Sequence, residues 1–247
     1  MSGSSGQQRP VARLAALLAD HTRAGLCLAL LDGRAWTAGE LARQAGVAAS
    51  TASEHLTRLV AGGLLVEERQ GRHRYLRLAS PEVAHLLENL AGHAPGVEPP
   101  VRSLRASRTN AALARARTCY DHLAGRLGVL LLDALAERGL VDRSAGLSVT
   151  PDGLCWLGSL GLDVAGVQTA RRPLIRDCLD WTERRPHLAG GAGAALCRHF
   201  MDNDWLQRRC DGRALLITDA GERGLQSLLG IDGADLEPTG SARFVGR

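Results

Sequence analysis

Two Cys/His pairs carry the candidate chemistry of this 247-residue chain. Cys119 precedes His122, and Cys178 precedes His187. Each histidine opens the same tetrapeptide, His122-Leu-Ala-Gly125 and His187-Leu-Ala-Gly190. If the two segments meet, two thiolates and two imidazoles form a donor set suited to a tetrahedral soft metal ion or a metalloid. Two thiols alone suit a redox or electrophile sensor that forms a disulfide or an adduct. Arg115 and Arg117 near Cys119, and Arg176, Arg184 and Arg185 near Cys178, would favour the thiolate such a sensor needs. In a third reading the cysteines are small buried hydrophobes and the histidines bond backbone carbonyls. The residues leave all three open. The other cysteines, at 27, 155, 197 and 210, form no CxxC pair and match no zinc ribbon or finger. Cys155 and Cys197 lie in apolar runs and are expected in the core, whereas Cys210 sits among Arg208, Arg209 and Asp211.

These residues belong to a C-terminal lobe, 102–247, that reads as duplicated. Gly128 follows the first HLAG segment as Gly193 follows the second. Leu147-Ser-Val-Thr-Pro-Asp-Gly153 then matches Leu215-Leu-Ile-Thr-Asp-Ala-Gly221. Thr150 and Thr218 have the character of helix N-caps, and Pro151 fits a first helical turn. The repeats span about 119–163 and 184–232, each predicted as helix, strand or hairpin, helix: a degenerate winged helix twice over. Thr118 could cap a helix with Cys119 in its first turn, where the helix dipole would also favour the thiolate, and Cys178 falls in a stretch with helical amphipathicity. Trp156, Trp181, Trp205, Tyr120 and Phe200 also fall here. They form the core of the lobe or line a cleft between related halves, where a small organic effector would bind.

Residues 94–101, APGVEPPV, read as a Pro/Gly linker. Before it, residues 10–31 show leucines at helical spacing, ended by Asp32-Gly33. Thr37 with Glu40 forms a capping box for a helix that stops at Gly46. A second helix opens at Ala49 or Ser50. It turns Ala52, Leu56 and Leu59 inward, and Ser50, Thr51, Ser53, Glu54, His55 and Arg58 outward. Gly62-Gly63 closes it. A hairpin follows, turning at Gln70-Gly71 and crowded with Arg69, Arg72, His73, Arg74 and Arg77. The helix Pro81–His93 completes the run. Helix, tight turn, helix and basic hairpin make a winged helix-turn-helix, which places one helix in the DNA major groove. Small polar residues let that helix approach base edges, while Arg69, Arg72, His73 and Arg74 suit phosphate contact.

Leu41-Ala42, Gly46-Val47, Ser50 through Ser53, His55-Leu56, Leu59 and Gly63-Leu64, with the basic wing, resemble the ArsR/SmtB family of bacterial repressors. The resemblance covers about residues 10–93. It implies a homodimer on an inverted-repeat operator in double-stranded DNA, released by a chemical signal, with helices at 10–31 and 81–93 making the dimer. This chain departs from the metal-sensing patterns of the family. Residues 38–45 hold no cysteine, and His85, Glu88 and His93 lack the upstream half of the dimer-helix set. The extra lobe is therefore where the signal is expected to act.

Composition narrows the rest. All thirty Lys/Arg positions are arginine, and the net charge of +4 permits nucleic-acid binding without requiring it. No apolar run reaches the length of a membrane span. Residues 1–9 have no signal-peptide layout and read as a disordered lead, so a cytoplasmic protein with no membrane partner is expected. No P-loop, GxGxxG, GxSxG or HExxH is present, which speaks against an enzyme. The expectation is a mainly α protein with small β-hairpins: a winged helix-turn-helix over 10–93, then a lobe of two degenerate winged-helix-like repeats. It would act as a transcriptional repressor sensing thiol chemistry, a soft ion or a metalloid. The rivals are a repressor responding to an organic ligand, an architectural DNA binder and an enzyme.

Overall fold

Leucines at helical spacing form α1 (Ser5–Leu18) and α2 (His21–Ala29), and Asp20 caps α2 by accepting the Arg23 N–H at 2.9 Å. The computed structural model describes residues 5–70, 73–94, 104–169, 172–209 and 212–237. Helix α1 begins at Ser5, so the expected disordered lead of 1–9 is corrected over residues 5–9, while 1–4 lie outside the described residues. Two units are distinguished, Met1–Leu87 and Glu88–Arg247. The expected linker lies outside the described residues from 95 onward.

In the first unit a 3-10 turn leads to β1 (Trp36–Thr37) through Gly33, at φ 82°. Thr37 caps α3 (Ala38–Ala45), and the Glu40 carboxylate accepts the Thr37 N–H at 2.8 Å, closing the expected capping box. Gly46, at φ 68°, ends α3 in the left-handed region that favours glycine. Helix α4 (Ala49–Ala61) follows, then β2 (Leu65–Gln70) and β3 (His73–Leu78). The sheet order is β1-β3-β2, all antiparallel, with Leu65 opposite Leu78 and Arg69 opposite Arg74. Leu26, Leu30, Leu41, Leu56, Leu59, Leu65 and Leu76 bury together and hold α4 against this sheet. Helix α5 (Pro81–His93) contains the boundary between the units.

The second unit opens with α6 (Leu104–Arg115). Its first repeat is β4 (Arg117–Cys119), β5 (His122–Ala124), α7 (Gly125–Glu137), β6 (Val141–Asp142), β7 (Ser148–Val149) and α8 (Pro151–Ser159). After the short α9 (Val164–Thr169) the second is β8 (Arg176–Leu179), β9 (Pro186–Ala189), α10 (Gly190–Asp202), β10 (Leu206–Arg208), β11 (Leu215–Ile217) and α11 (Asp219–Leu229). The repeat unit is thus hairpin, helix, hairpin, helix, one hairpin longer at its start than the sequence suggests. Equivalent atoms do equivalent work. Thr150 and Thr218 each accept a glycine N–H, from Gly153 and Gly221, at 3.0 Å. Each hydroxyl also donates to a carbonyl, of Gly139 or Asp204, at 2.7 Å. A Cβ on Gly153 would lie 2.0 Å from the Leu140 carbonyl oxygen, and one on Gly221 would lie 2.1 Å from that of Trp205. The repeats share one core, with Leu127, Leu131, Leu196, Phe200 and Leu225 at its centre. Trp205 stacks on Phe200 at 5.1 Å, as a core pair.

Two expectations are corrected. Cys119 does not start a helix, because Thr118 and Cys119 pair with Leu123 and His122 across a two-residue turn. Cys178 does not lie in a helix either; it pairs with His187 in β8–β9. Asp180 stops any helix there by accepting the backbone N–H groups of Thr182 (2.9 Å) and Glu183 (3.1 Å). The helix-dipole argument for a Cys119 thiolate falls with this correction.

Candidate functional site

The first unit presents an exposed polar surface. On α4, burial of Ala52, Leu56 and Leu59 leaves Ser50, Thr51, Ser53, Glu54 and Arg58 exposed, as helical periodicity requires. His55 is half-buried, with its Nδ1 3.7 Å from Asp20 and 3.5 Å from Arg23 Nη1, so it braces α4 against α2. In the hairpin, Arg69 keeps 78% of its side chain exposed. Arg74 is tied to Glu67 across the strands, Nε to carboxylate at 2.6 Å. Arg72 lies outside the described residues, as does the His73 side chain.

The second unit hides its polar groups. Cys119, His122, Cys178 and His187 are all buried, and one ligand atom from each lies within 4.8 Å of every other. The two hairpins bring them together: Cys119 is the cross-strand partner of His122, and Cys178 of His187. The sulfurs are 3.9 Å apart and the two Nε2 atoms 3.1 Å apart. Gly128 lies so close to the other repeat that a Cβ there would be 3.4 Å from His187 Cβ. Gly193 stands in the same relation to His122 Cβ, also at 3.4 Å. The HLAG segments and their trailing glycines are thus arranged about an approximate two-fold axis.

Behind each imidazole stands a carboxylate. His122 Nδ1 lies 3.4 Å from Asp121, whose carboxylate takes two hydrogen bonds from Arg172, the one from Nη2 at 2.9 Å. His187 Nδ1 lies 3.4 Å from Asp180 Oδ2 but out of line, so this buried atom makes no protein hydrogen bond. Asp180 also accepts the Gly125 N–H at 2.6 Å and Arg117 Nη2 at 3.0 Å. Arg117 is fully buried. It reaches Glu88 at 3.2 Å, the Leu113 carbonyl and the Thr182 hydroxyl at 3.1 Å each, and lies over the Trp181 ring at 5.1 Å. Glu88 Oε1 further accepts Arg213 and Trp181, both at 3.1 Å.

Burial pushes these carboxyls up, but their partners outweigh it. Arg213 and Arg117 hold Glu88 down at about 2. Arg117 and His187 keep Asp180 well below the usual carboxylate range. Hydrogen bonds from His122 and Arg172 do the same for Asp121. A hydrogen bond from Cys119 lowers the Cys178 thiol against its burial. By contrast, burial pushes Cys27 to about 12 and Cys197 to about 11, which marks them as inert packing thiols. Cys155, expected in the core, is exposed at the surface of α8. Cys210 is outside the described residues.

The structure therefore brings together all four Cys/His candidates, through strands rather than helices. Sequence reasoning missed the half-buried Asp121 and the buried Asp180 behind the imidazoles, and read Arg117 only as a thiolate neighbour and Glu88 only as part of a dimer-helix set. Asp121 stands next to His122, and Asp180 two residues after Cys178, but acids beside histidines are common and carry no signal alone. Of the arginines read as thiolate partners, Arg115 binds Glu237 at 2.7 Å, Arg185 binds Asp133 at 2.7 Å and Arg184 bonds the Ala94 carbonyl at 2.6 Å, whereas Arg176 does help to lower the Cys178 thiol.

The first unit is by its geometry a winged helix-turn-helix, the class that presents a recognition helix beside a β-hairpin. A family model described as "Helix-turn-helix domain" matches residues 18–68. YdfF, an HTH-type transcriptional regulator of Bacillus subtilis, is 38% identical over 222 residues, 90% of this chain and 97% of that protein. A match of that length runs through both units. The HTH-type transcriptional regulator CmtR of Mycobacterium tuberculosis is 38% identical over 84 residues, 34% of this chain and 70% of that protein. The solved homodimeric winged helix-turn-helix DNA-binding domain Mb0332 of Mycobacterium bovis is 33% identical, with a TM-score of 0.31, covering 35% of this chain and 83% of that one. The chain belongs to the HTH-type transcriptional regulators, and its winged unit carries the ArsR/SmtB-like motif run.

Proposed function

We propose that the protein is a dimeric transcriptional repressor of the ArsR type, acting in the cytoplasm and leaving its operator when a thiol-directed signal reaches the second unit. Helix α4 reads the major groove of an inverted repeat through Ser50, Thr51 and Ser53, with Glu54 and Arg58 at the edges of the contact. The hairpin supplies phosphate contacts through Arg69, with Arg72 and His73 at its turn. Arg74 contributes less, because Glu67 already neutralises it. Exposed Val11 on α1 and Leu28 on α2 supply apolar surface for the dimer. The observation that carries the reading is the coexistence in one chain of an exposed small-polar helix face and a buried cluster of two thiols and two imidazoles.

The test is binding of purified protein to fragments of its own promoter region, titrated with a thiol oxidant and then with thiophilic ions. Release by one agent, lost in Cys119→Ser and Cys178→Ser, is the expected outcome. Binding that is unchanged under every agent would remove the cluster from signalling and leave the organic-ligand reading.

A further inference from the structure

The buried Cys/His cluster permits a more specific assignment, which rests on the second unit being the place where the signal acts. We propose that Cys119, His122, Cys178 and His187 are the four ligands of a single zinc-class divalent ion, bound through both sulfurs and both Nε2 atoms. The ion ties the two repeats of the second unit together.

Spacing is the first argument. A regular tetrahedron with Zn–S of about 2.3 Å and Zn–N of about 2.05 Å sets the sulfurs about 3.8 Å apart and the nitrogens about 3.3 Å apart. The chain holds them 3.9 Å and 3.1 Å apart. A disulfide accounts for less, since it needs the sulfurs at about 2.05 Å and gives the facing imidazoles no role. Hydrogen bonds between the imidazoles and between the thiols account for each pair by itself but not for the gathering of all four donors within 4.8 Å of one another.

Orientation is the second. Both rings turn Nε2 inward and Nδ1 toward a carboxylate, Asp121 for His122 and Asp180 for His187. Metal-bound histidines are held in this way, and the outer carboxylate fixes the tautomer and raises ligand basicity. Here the carboxylates are anchored in turn by Arg172 and Arg117. The unbonded His187 Nδ1 has its acceptor within reach once the ring is fixed by an ion.

Charge is the third. Two thiolates neutralise a divalent ion, and two neutral imidazoles add nothing, so the complex suits a buried site. On binding, Cys119 and Cys178 each release one proton to solvent as the ion sheds its water, and each imidazole stays neutral with its proton on Nδ1. Four protein ligands leave no open position, so the ion orders the unit and does no catalysis.

The test is titration of the reduced, metal-stripped full chain with Co(II), followed by displacement with Zn(II). One Co(II) per chain is expected, with the visible bands of a tetrahedral ion and a thiolate charge-transfer band, both bleached by Zn(II). Cys178→Ser should lose the charge-transfer intensity of one sulfur. Asp121→Asn, which keeps all four ligands, should bind one ion with about 10–100-fold lower affinity. A folded wild-type chain that gives no tetrahedral spectrum, or a Cys178→Ser spectrum identical to wild type, would overturn the assignment. The same samples are assayed for operator binding. Oxidant-driven release without Co(II) binding sinks the ion and keeps the signalling role. Tight Co(II) binding with operator affinity indifferent to every agent keeps the ion and sinks the signalling role.

Discussion

The wing hairpin β2–β3 and the paired hairpins β4–β5 and β8–β9 use the same local device to opposite ends. In the wing, Arg69 stands in solvent and the cross-strand pair of Arg74 with Glu67 lies at the surface. In the second unit, Arg117, Asp180 and Glu88 are at most 2% exposed and depend on one another. An exposed ion pair is worth little to stability, whereas removing one member of a buried set strands the others. The wing is thus free to vary for recognition, and the buried hairpins are not.

The largest break in this comparison should come from Arg117→Ala. It strands Asp180 and Glu88 without their shared cation, and denaturant unfolding of the full chain should show a loss of about 3–5 kcal/mol. A loss within the range of ordinary surface substitutions would mean that water reaches the cluster and that the contrast between the hairpins is false.

The equivalence of the two repeats is tested by Gly153→Ala and Gly221→Ala, whose new methyl groups meet carbonyl oxygens. Each should cost at least about 1–3 kcal/mol. Gly158→Ala on α8, where a Cβ meets nothing within 4 Å, should be neutral or gain up to about 1 kcal/mol. Equal effects at Gly153 and Gly158 would refute the close approach.

Removal of the capping box by Thr37→Ala should cost about 1 kcal/mol in thermal or chemical unfolding. The cap secures the entry to α3, so no measurable cost would mean that the tertiary packing of α3 holds it without the cap.

The smallest effects on stability fall in the wing, and there the readout is DNA. Arg69→Ala should leave stability unchanged and lower the salt slope of operator binding by about one. Arg74→Ala should change the slope less. An equal change would mean that Arg74 leaves Glu67 on binding.

The first unit was legible because its signals are local. Thr37 and Glu40, Gly46, and the inward stripe Ala52, Leu56, Leu59 each declare their structure within a few residues. His55, expected to face outward, is half-buried because it packs beside Asp20 and Arg23, which are remote in sequence. In the second unit the duplication and the caps at Thr150 and Thr218 were legible for the same reason. Strands β4 and β8 were not. They are three and four residues long, and only their pairing with β5 and β9 distinguishes them from helical turns. The start of the second repeat was hidden by its loop. Tyr120 and Asp121 alone separate Cys119 from His122, whereas eight residues separate Cys178 from His187, so the cysteines fall out of alignment when the histidines are matched. Arg117 was legible beside Cys119, but its burial and its carboxylate partners were not, because a sequence shows a charge but not its depth.

The approximate two-fold relation between the hairpins has a consequence for how such a cluster could arise. One repeat alone offers a single sulfur and a single imidazole. A chain with one repeat would have to meet a second copy about a true symmetry axis to gather four donors, and the set would dissolve on dilution. With both repeats on one chain the encounter is intramolecular, at an effective concentration set by the connecting segment rather than by expression level. The four donors therefore stay together however dilute the chain.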